Sequence, residues 1–188
     1  MPTIRLMFDP ITRAAQLWVQ RWGQGSQSVP MATATSVMRV QQLLLTDYDA
    51  TCARHGLSFA RYEALVLLAF SREGQLGMTK IGQRLMVHPT SATNIVQRLH
   101  AQGFVDRVPN PDDGRGSLAV ITPAGRAAME AATKDLVGTR FGLGMLTAED
   151  HEQLFRILRK VRLANEDFVG EPVSADSAPL RERPSPRS

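Results

Sequence analysis

Five polar side chains, Thr90, Ser91, Asn94, Gln97 and Arg98, share one face of a stretch that opens at Pro89. They offer hydroxyls, two amides and a guanidinium, the groups that suit base edges and phosphate oxygens. The opposite face carries Ala92, Ile95, Val96 and Leu99, spaced as the buried stripe of a helix. Proline is favoured at the first helical position, where a missing N–H costs nothing. From Gly74 through Val105 there is no Asp or Glu, while Lys80, Arg84 and Arg98 fall inside. A solvated helix face normally mixes both signs of charge. One free of acid points to a polyanionic partner.

No catalytic constellation competes with that chemistry. The chain has no phosphate-cradling P-loop, no G-x-S-x-G elbow and no H-E-x-x-H. Its histidines, His55, His88, His100 and His151, are scattered, and the twelve-residue separation of His88 and His100 does not place them on one face. Neither an enzyme nor a metal or other cofactor is expected.

The polar face needs elements to hold it. A short helix from Thr79, with Ile81, Leu85 and Met86 facing inward, leads through a Val87-His88 turn into the polar helix, which Gly103 ends. Two β-rich runs follow, Phe104 to Pro109 and Ser117 to Ile121. Residues 110–116 between them read as a hairpin loop longer than two residues. Helix, turn, helix and hairpin make a winged helix. A helix fits the major groove of B-form DNA, and a slim hairpin reaches the neighbouring minor groove. Arg115 at the tip suits that narrow, electronegative groove, and Arg107 on the first strand suits phosphate. Asp112 and Asp113 suit the turn through Asx-type hydrogen bonds, and Asp113 also suits a role orienting Arg115.

The remaining segments read as helices. Asp9-Pro10 starts one with Ile11, Ala15, Trp18 and Trp22 on one face, and Gly23 stops it. Its tryptophans are expected to cover the main body or a partner subunit. Residues 25–30 read as a loop. A long helix from about Thr33 to His55 has the seam Val37, Val40, Leu44, Tyr48 and Cys52. Ser58 caps the next, Phe59 to about Ser71, which is apolar almost all round through Leu65, Val66, Leu67, Leu68 and Phe70 and so is expected at the centre. Gly74 and Gly77 bracket a turn. Thr122-Pro123 opens an alanine-rich helix, with a bend expected near Gly138, Gly142 and Gly144. Thr147 with Asp150 caps a last helix striped by Leu154, Leu158, Val161 and Phe168.

The totals fit this plan. The 188 residues suit one domain with an extension, and a 43% hydrophobic share supplies a core. The formal charge is +4 and the pI about 9.8. The lone Cys52 allows no internal disulfide. No run approaches the roughly 20 apolar residues of a membrane span, and no secretory signal is read. A cytoplasmic location is expected.

The run LMVHPTSATNIVQRLHAQGFVDRVPNPDDGRGSLAVITPAGR, Leu85 to Arg126, resembles the winged helix of the MarR family of bacterial transcription regulators. The resemblance extends over Thr33 to about Phe168. Its most specific parts are G-F-V-D-R, P-D-D-G-R and I-T-P-A-G-R. Where the family's wing usually reads Asp-x-Arg-Arg, this chain has Asp113-Gly114-Arg115-Gly116. The expected architecture is mainly α with a small β-hairpin wing. Residues 1–30 form an N-terminal extension, 31–57 and 123–170 dimerisation helices, 58–122 the winged helix-turn-helix and 171–188 a disordered tail.

The resemblance implies a homodimer, more a repressor than an activator. Its recognition helices would occupy successive major grooves about 34 Å apart on a pseudo-palindromic operator. The DNA-contacting set is Lys80, Arg84, His88, Pro89, Thr90, Ser91, Asn94, Gln97, Arg98, Arg107 and Arg115. A small, anionic aromatic effector is expected in a cleft between the dimer helices and the winged domain. Its candidate ligands are Trp18, Trp22, Arg39, Asp47, Tyr48, His55, Arg61 and Tyr62. Two alternatives stand beside this: a redox regulator acting through the Cys52 thiol, and a winged helix that binds protein.

Overall fold

Side-chain caps set where most helices begin. Asp9 Oδ1 accepts from the Ile11 amide at 3.0 Å and starts α1 (Pro10–Trp22). Ser58 does the same for α3 (Phe59–Ala69), Thr122 for α6 (Pro123–Gly138) and Thr147 for α7 (Ala148–Ala164). At Thr147 the cap is reciprocal, because Asp150 Oδ2 accepts from the Thr147 amide at 2.9 Å. These starts are the ones the sequence predicts. The computed structural model describes residues 6–71, 73–111 and 113–169, with backbone alone at 113–115. The expected tail, 171–188, and the Arg115 side chain lie outside the described residues.

Several boundaries differ from expectation. Helix α2 (Ser28–Ala53) begins before Thr33 and shortens the loop at 25–30. Pro30 is tolerated because it falls in the first turn, where amides have no intrahelical acceptor. The turn expected between Gly74 and Gly77 is strand β1 (Gln75–Gly77), too short to show alternation in sequence. Helix α4 (Met78–Leu85) ends at Met86, which adopts a left-handed conformation and is 69% exposed instead of facing inward. Phe70 follows α3 and is 84% exposed, so that helix is buried only through Tyr62, Ala64, Leu65 and Leu68.

Helix α5 (Pro89–Ala101) leads into β2 (Val105–Asn110) and β3 (Asp113–Ile121). The sheet is antiparallel with order β1-β3-β2. β2 and β3 pair from Val105↔Ile121 to Pro109↔Ser117, and Asn110↔Asp113 extends the hairpin beyond a register shift. The long loop expected at 110–116 is therefore largely strand. Its excess residues, 114–116, sit on β3 as a bulge.

The core gathers Tyr62, Leu65 and Leu68 with Leu57, Ile81, Val96, Leu99, Val105, Met129 and Leu136. Each such aliphatic side chain contributes about 1.5–3 kcal/mol through burial. The sheet closes onto α6 through Gly125. A Cβ there would sit 2.1 Å from the Phe104 carbonyl oxygen, so only glycine fits. Thr122 fixes the same junction, its hydroxyl donating to the Gly103 carbonyl at 2.8 Å and its amide to that of Phe104 at 3.1 Å. Helix α6 ends at Gly138 and a short 3-10 turn, Arg140–Gly142, follows, where a bend in one helix was expected.

The chain divides into two units, Met1–Leu143 and Gly144–Ser188. In the second, Phe168 lies beneath the Arg159 and Arg162 guanidiniums at 5.0 and 5.3 Å. Among the described residues no helix is long and apolar enough to cross a membrane.

Candidate nucleic-acid interface

The turn between α4 and α5 is built from backbone conformation and one imidazole. Met86 at φ 54° reverses the chain, and the Val87 amide donates to the Gly82 carbonyl at 3.1 Å. His88 Nδ1 then accepts from the Thr90 amide at 3.3 Å and caps α5. His88 is thus a cap first, exposed at the edge of the face. Gly82 is buried, and a Cβ built there would lie 3.6 Å from Ala92 Cβ. The two helices approach closely at that point.

Ala92, Val96 and Leu99 fill the buried side of α5. Thr90, Ser91, Asn94, Gln97 and Arg98 all face outward, with Lys80 and Arg84 exposed on α4. Among the described residues, ion pairs join Arg54 and His55 to Asp135 and Arg162 to Asp167. None involves Lys80, Arg84 or Arg98. Among the described residues no carboxylate lies within ion-pair distance of these cations, an arrangement that attracts an anion. On β2, the Arg107 guanidinium donates to Ser117 Oγ at 2.9 Å and stays exposed.

The residues expected to bind an effector fall into separate settings, most of them engaged within the chain. Trp18 packs against Trp22 with ring centroids 4.4 Å apart and planes tilted by 46°, and donates its indole N–H to the Ser26 carbonyl at 2.7 Å. Arg39 donates to Gln42 Oε1 at 3.2 Å along α2. Tyr48 packs against Phe59 and donates to the Phe141 carbonyl at 2.8 Å, while Asp47 beside it is exposed. His55 Nε2 meets Asp135 Oδ2 at 2.8 Å and ties the end of α2 to α6. That hydrogen bond is the first cause holding the Asp135 carboxyl below its usual range. Tyr62 is buried, its hydroxyl 3.0 Å from that of Thr133.

Arg61 belongs elsewhere. Its guanidinium donates to Gln102 Oε1 and, at 3.3 Å, to Ser58 Oγ. With Ser58, Ser91, Asn94, Ile95 and Arg98 it lines a groove of about 330 Å³ beside α5. The family resemblance named Arg61 as an effector candidate, whereas the first turn of α3 opens onto the polar face. Ser58 went unnoticed, being legible only as a cap.

The surroundings of Cys52 do not favour a sensor thiol. The side chain is 0% exposed, and burial, followed by the charges of Asp49 and Glu63, pushes its thiol up to about 11. A reactive thiol needs access and a lowered pKa. Among the described residues no His, Cys, Asp and Glu cluster could hold a metal ion.

A short strand, two helices joined by a tight turn, and a β-hairpin that pairs with that strand in a three-stranded antiparallel sheet define a winged helix-turn-helix protein. The sequence profile of the MarR family matches residues 55–116. The organic hydroperoxide resistance transcriptional regulator of Bacillus subtilis is 32% identical over 57% of this chain and 71% of its own length. Sco5413, a MarR family transcriptional regulator from Streptomyces coelicolor, is 54% identical over 75% of this chain and 98% of its own, with a TM-score of 0.70. Sco3205 from the same organism, solved in complex with DNA, is 26% identical over 71% and 88%, with a TM-score of 0.66. The chain spans about half the length, 53%, of the mycobacterial regulators it also matches. The protein belongs to the MarR family of winged helix-turn-helix transcription regulators.

Proposed function

We propose that the protein is a sequence-specific, double-stranded-DNA-binding repressor acting as a homodimer on a pseudo-palindromic operator. The observation that carries this is the outward face of α5. Thr90, Ser91, Asn94, Gln97 and Arg98 are exposed together, the apolar side is anchored in the core, and among the described residues no carboxylate pairs with Lys80, Arg84 or Arg98. Asn94 and Gln97 meet base edges, with Ser91 and Thr90 beside them. Arg84, Lys80, Arg98 and Arg107 meet phosphate and sugar, which position the protein without reading sequence. Arg115 reaches the minor groove. Membership of one family with Sco3205, solved in complex with DNA, supports the same reading.

Two apolar faces support the dimer. Val37, Met38, Val40 and Leu43 are exposed on α2, and Leu154, Phe155, Ile157 and Val161 on α7. So many large apolar side chains left in water fit an interface with a second copy of the chain. Operator release by a small, anionic aromatic ligand completes the proposal. Arg39 on α2, exposed and bonded to a neutral amide, is its charge partner. Such a ligand acts by binding more tightly the helix spacing that does not fit the duplex.

Duplex retained by the protein from a fragmented genome, compared with random duplex of equal length by fluorescence anisotropy, tests the reading. Tighter binding of the retained duplex supports it. Equal affinity for both overturns it in favour of sequence-independent binding, and none for either overturns it in favour of a protein-binding winged helix.

A further inference from the structure

We infer that the groove between the first turn of α3 and the outer face of α5 seats a phosphate of the DNA backbone, with Arg61 as its principal cation and Gln102 as the residue that orients Arg61. This rests on the DNA-binding reading above and extends the contact surface to an element outside the helix–turn–helix face. Two guanidiniums, Arg61 and Arg98, share the groove with the hydroxyls of Ser58 and Ser91 and the Asn94 amide. Among the described residues neither arginine pairs with a carboxylate. Two like charges lining one groove favour an anion between them.

Arg61 is held ready for that anion. Gln102 caps the far end of α5, and its amide nitrogen donates to the Gly56 carbonyl at 2.8 Å. That bond turns the amide oxygen toward Arg61, which donates to it. The guanidinium has five N–H donors, so several remain for phosphate oxygens. Because the side chain is already ordered, less conformational entropy is lost on binding. The ligand follows from position. Asn94 and Ser91 belong to both the groove and the proposed base-reading face, and a helix in the major groove has strand phosphates along its flanks.

The test uses the retained duplex, with single phosphates replaced by neutral methylphosphonates. Arg61→Ala is expected to weaken retained and random duplex by the same factor, about tenfold, and to reduce the salt slope by about 0.9. One methylphosphonate position should weaken the wild type yet leave Arg61→Ala unaffected. Gln102→Leu should give a smaller loss at that same position. Unchanged affinity and slope in Arg61→Ala overturn the inference, while operator preference in the wild type leaves the regulator reading standing. A lowered melting temperature with an unchanged salt slope also overturns it, since Arg61 would then be structural. Absence of operator preference in the wild type removes the underlying reading instead.

Discussion

Asn94 and Cys52 are the side chains whose roles are most sharply separable by experiment. Asn94 is exposed on α5 with an amide that can accept from and donate to a base edge together. Asn94→Ala is expected to relax base choice at one operator position, with a penalty of about 1–3 kcal/mol for a bidentate contact. Binding of single-base operator variants measures this, and an equal loss on every variant contradicts it. Cys52 is expected to stay unmodified by a thiol reagent at neutral pH until the protein unfolds, which mass spectrometry of native and denatured samples checks. Its pH linkage has a definite sign. Burial raises the thiol from 9.0 to about 11, so between those values the folded state keeps a proton that the unfolded state has lost. Stability from this group is present below pH 9 and declines as pH climbs toward 11. Urea midpoints across that range should fall more steeply for the wild type than for Cys52→Ala.

At the scale of elements, the junction of sheet and α6 is the least forgiving place in the fold. Gly125→Ala forces a methyl carbon against the Phe104 carbonyl and is expected to cost about 3 kcal/mol or more. A urea midpoint near that of the wild type would show that the strand end can retreat. Much of the element order was legible because it depends on local rules. Asp9-Pro10, Ser58, Thr122-Pro123 and Thr147 announce caps, and the Ala92, Val96 and Leu99 spacing announces the buried side of α5. What escaped depends on partners distant in sequence. β1 is a strand only because β3 lies beside it. Met86 turns outward only because the chain reverses there in a left-handed conformation. Arg61 reads as a helix residue near a cleft until Gln102, forty-one residues on, draws it to α5. Gly125 lay within the I-T-P-A-G-R run without a stated role, because its reason, a carbonyl two strands upstream, is tertiary.

For the whole molecule, the proposed operator binding requires two copies of the chain. Leu154→Asp together with Val161→Asp places charge on the exposed apolar side of α7. The doubly substituted protein should sediment as a monomer and lose operator affinity by roughly a hundredfold or more, because the second half-site no longer binds as part of one complex. A dimer that persists would move the interface elsewhere. The central claim is that α5 lies in the major groove of a duplex, and it is most directly tested by methylation protection of guanine N7, an atom on that groove's floor. On retained duplex the account predicts two protected clusters, about one helical turn apart. Protection of the minor groove alone, or a single cluster bound by a dimer, would contradict it.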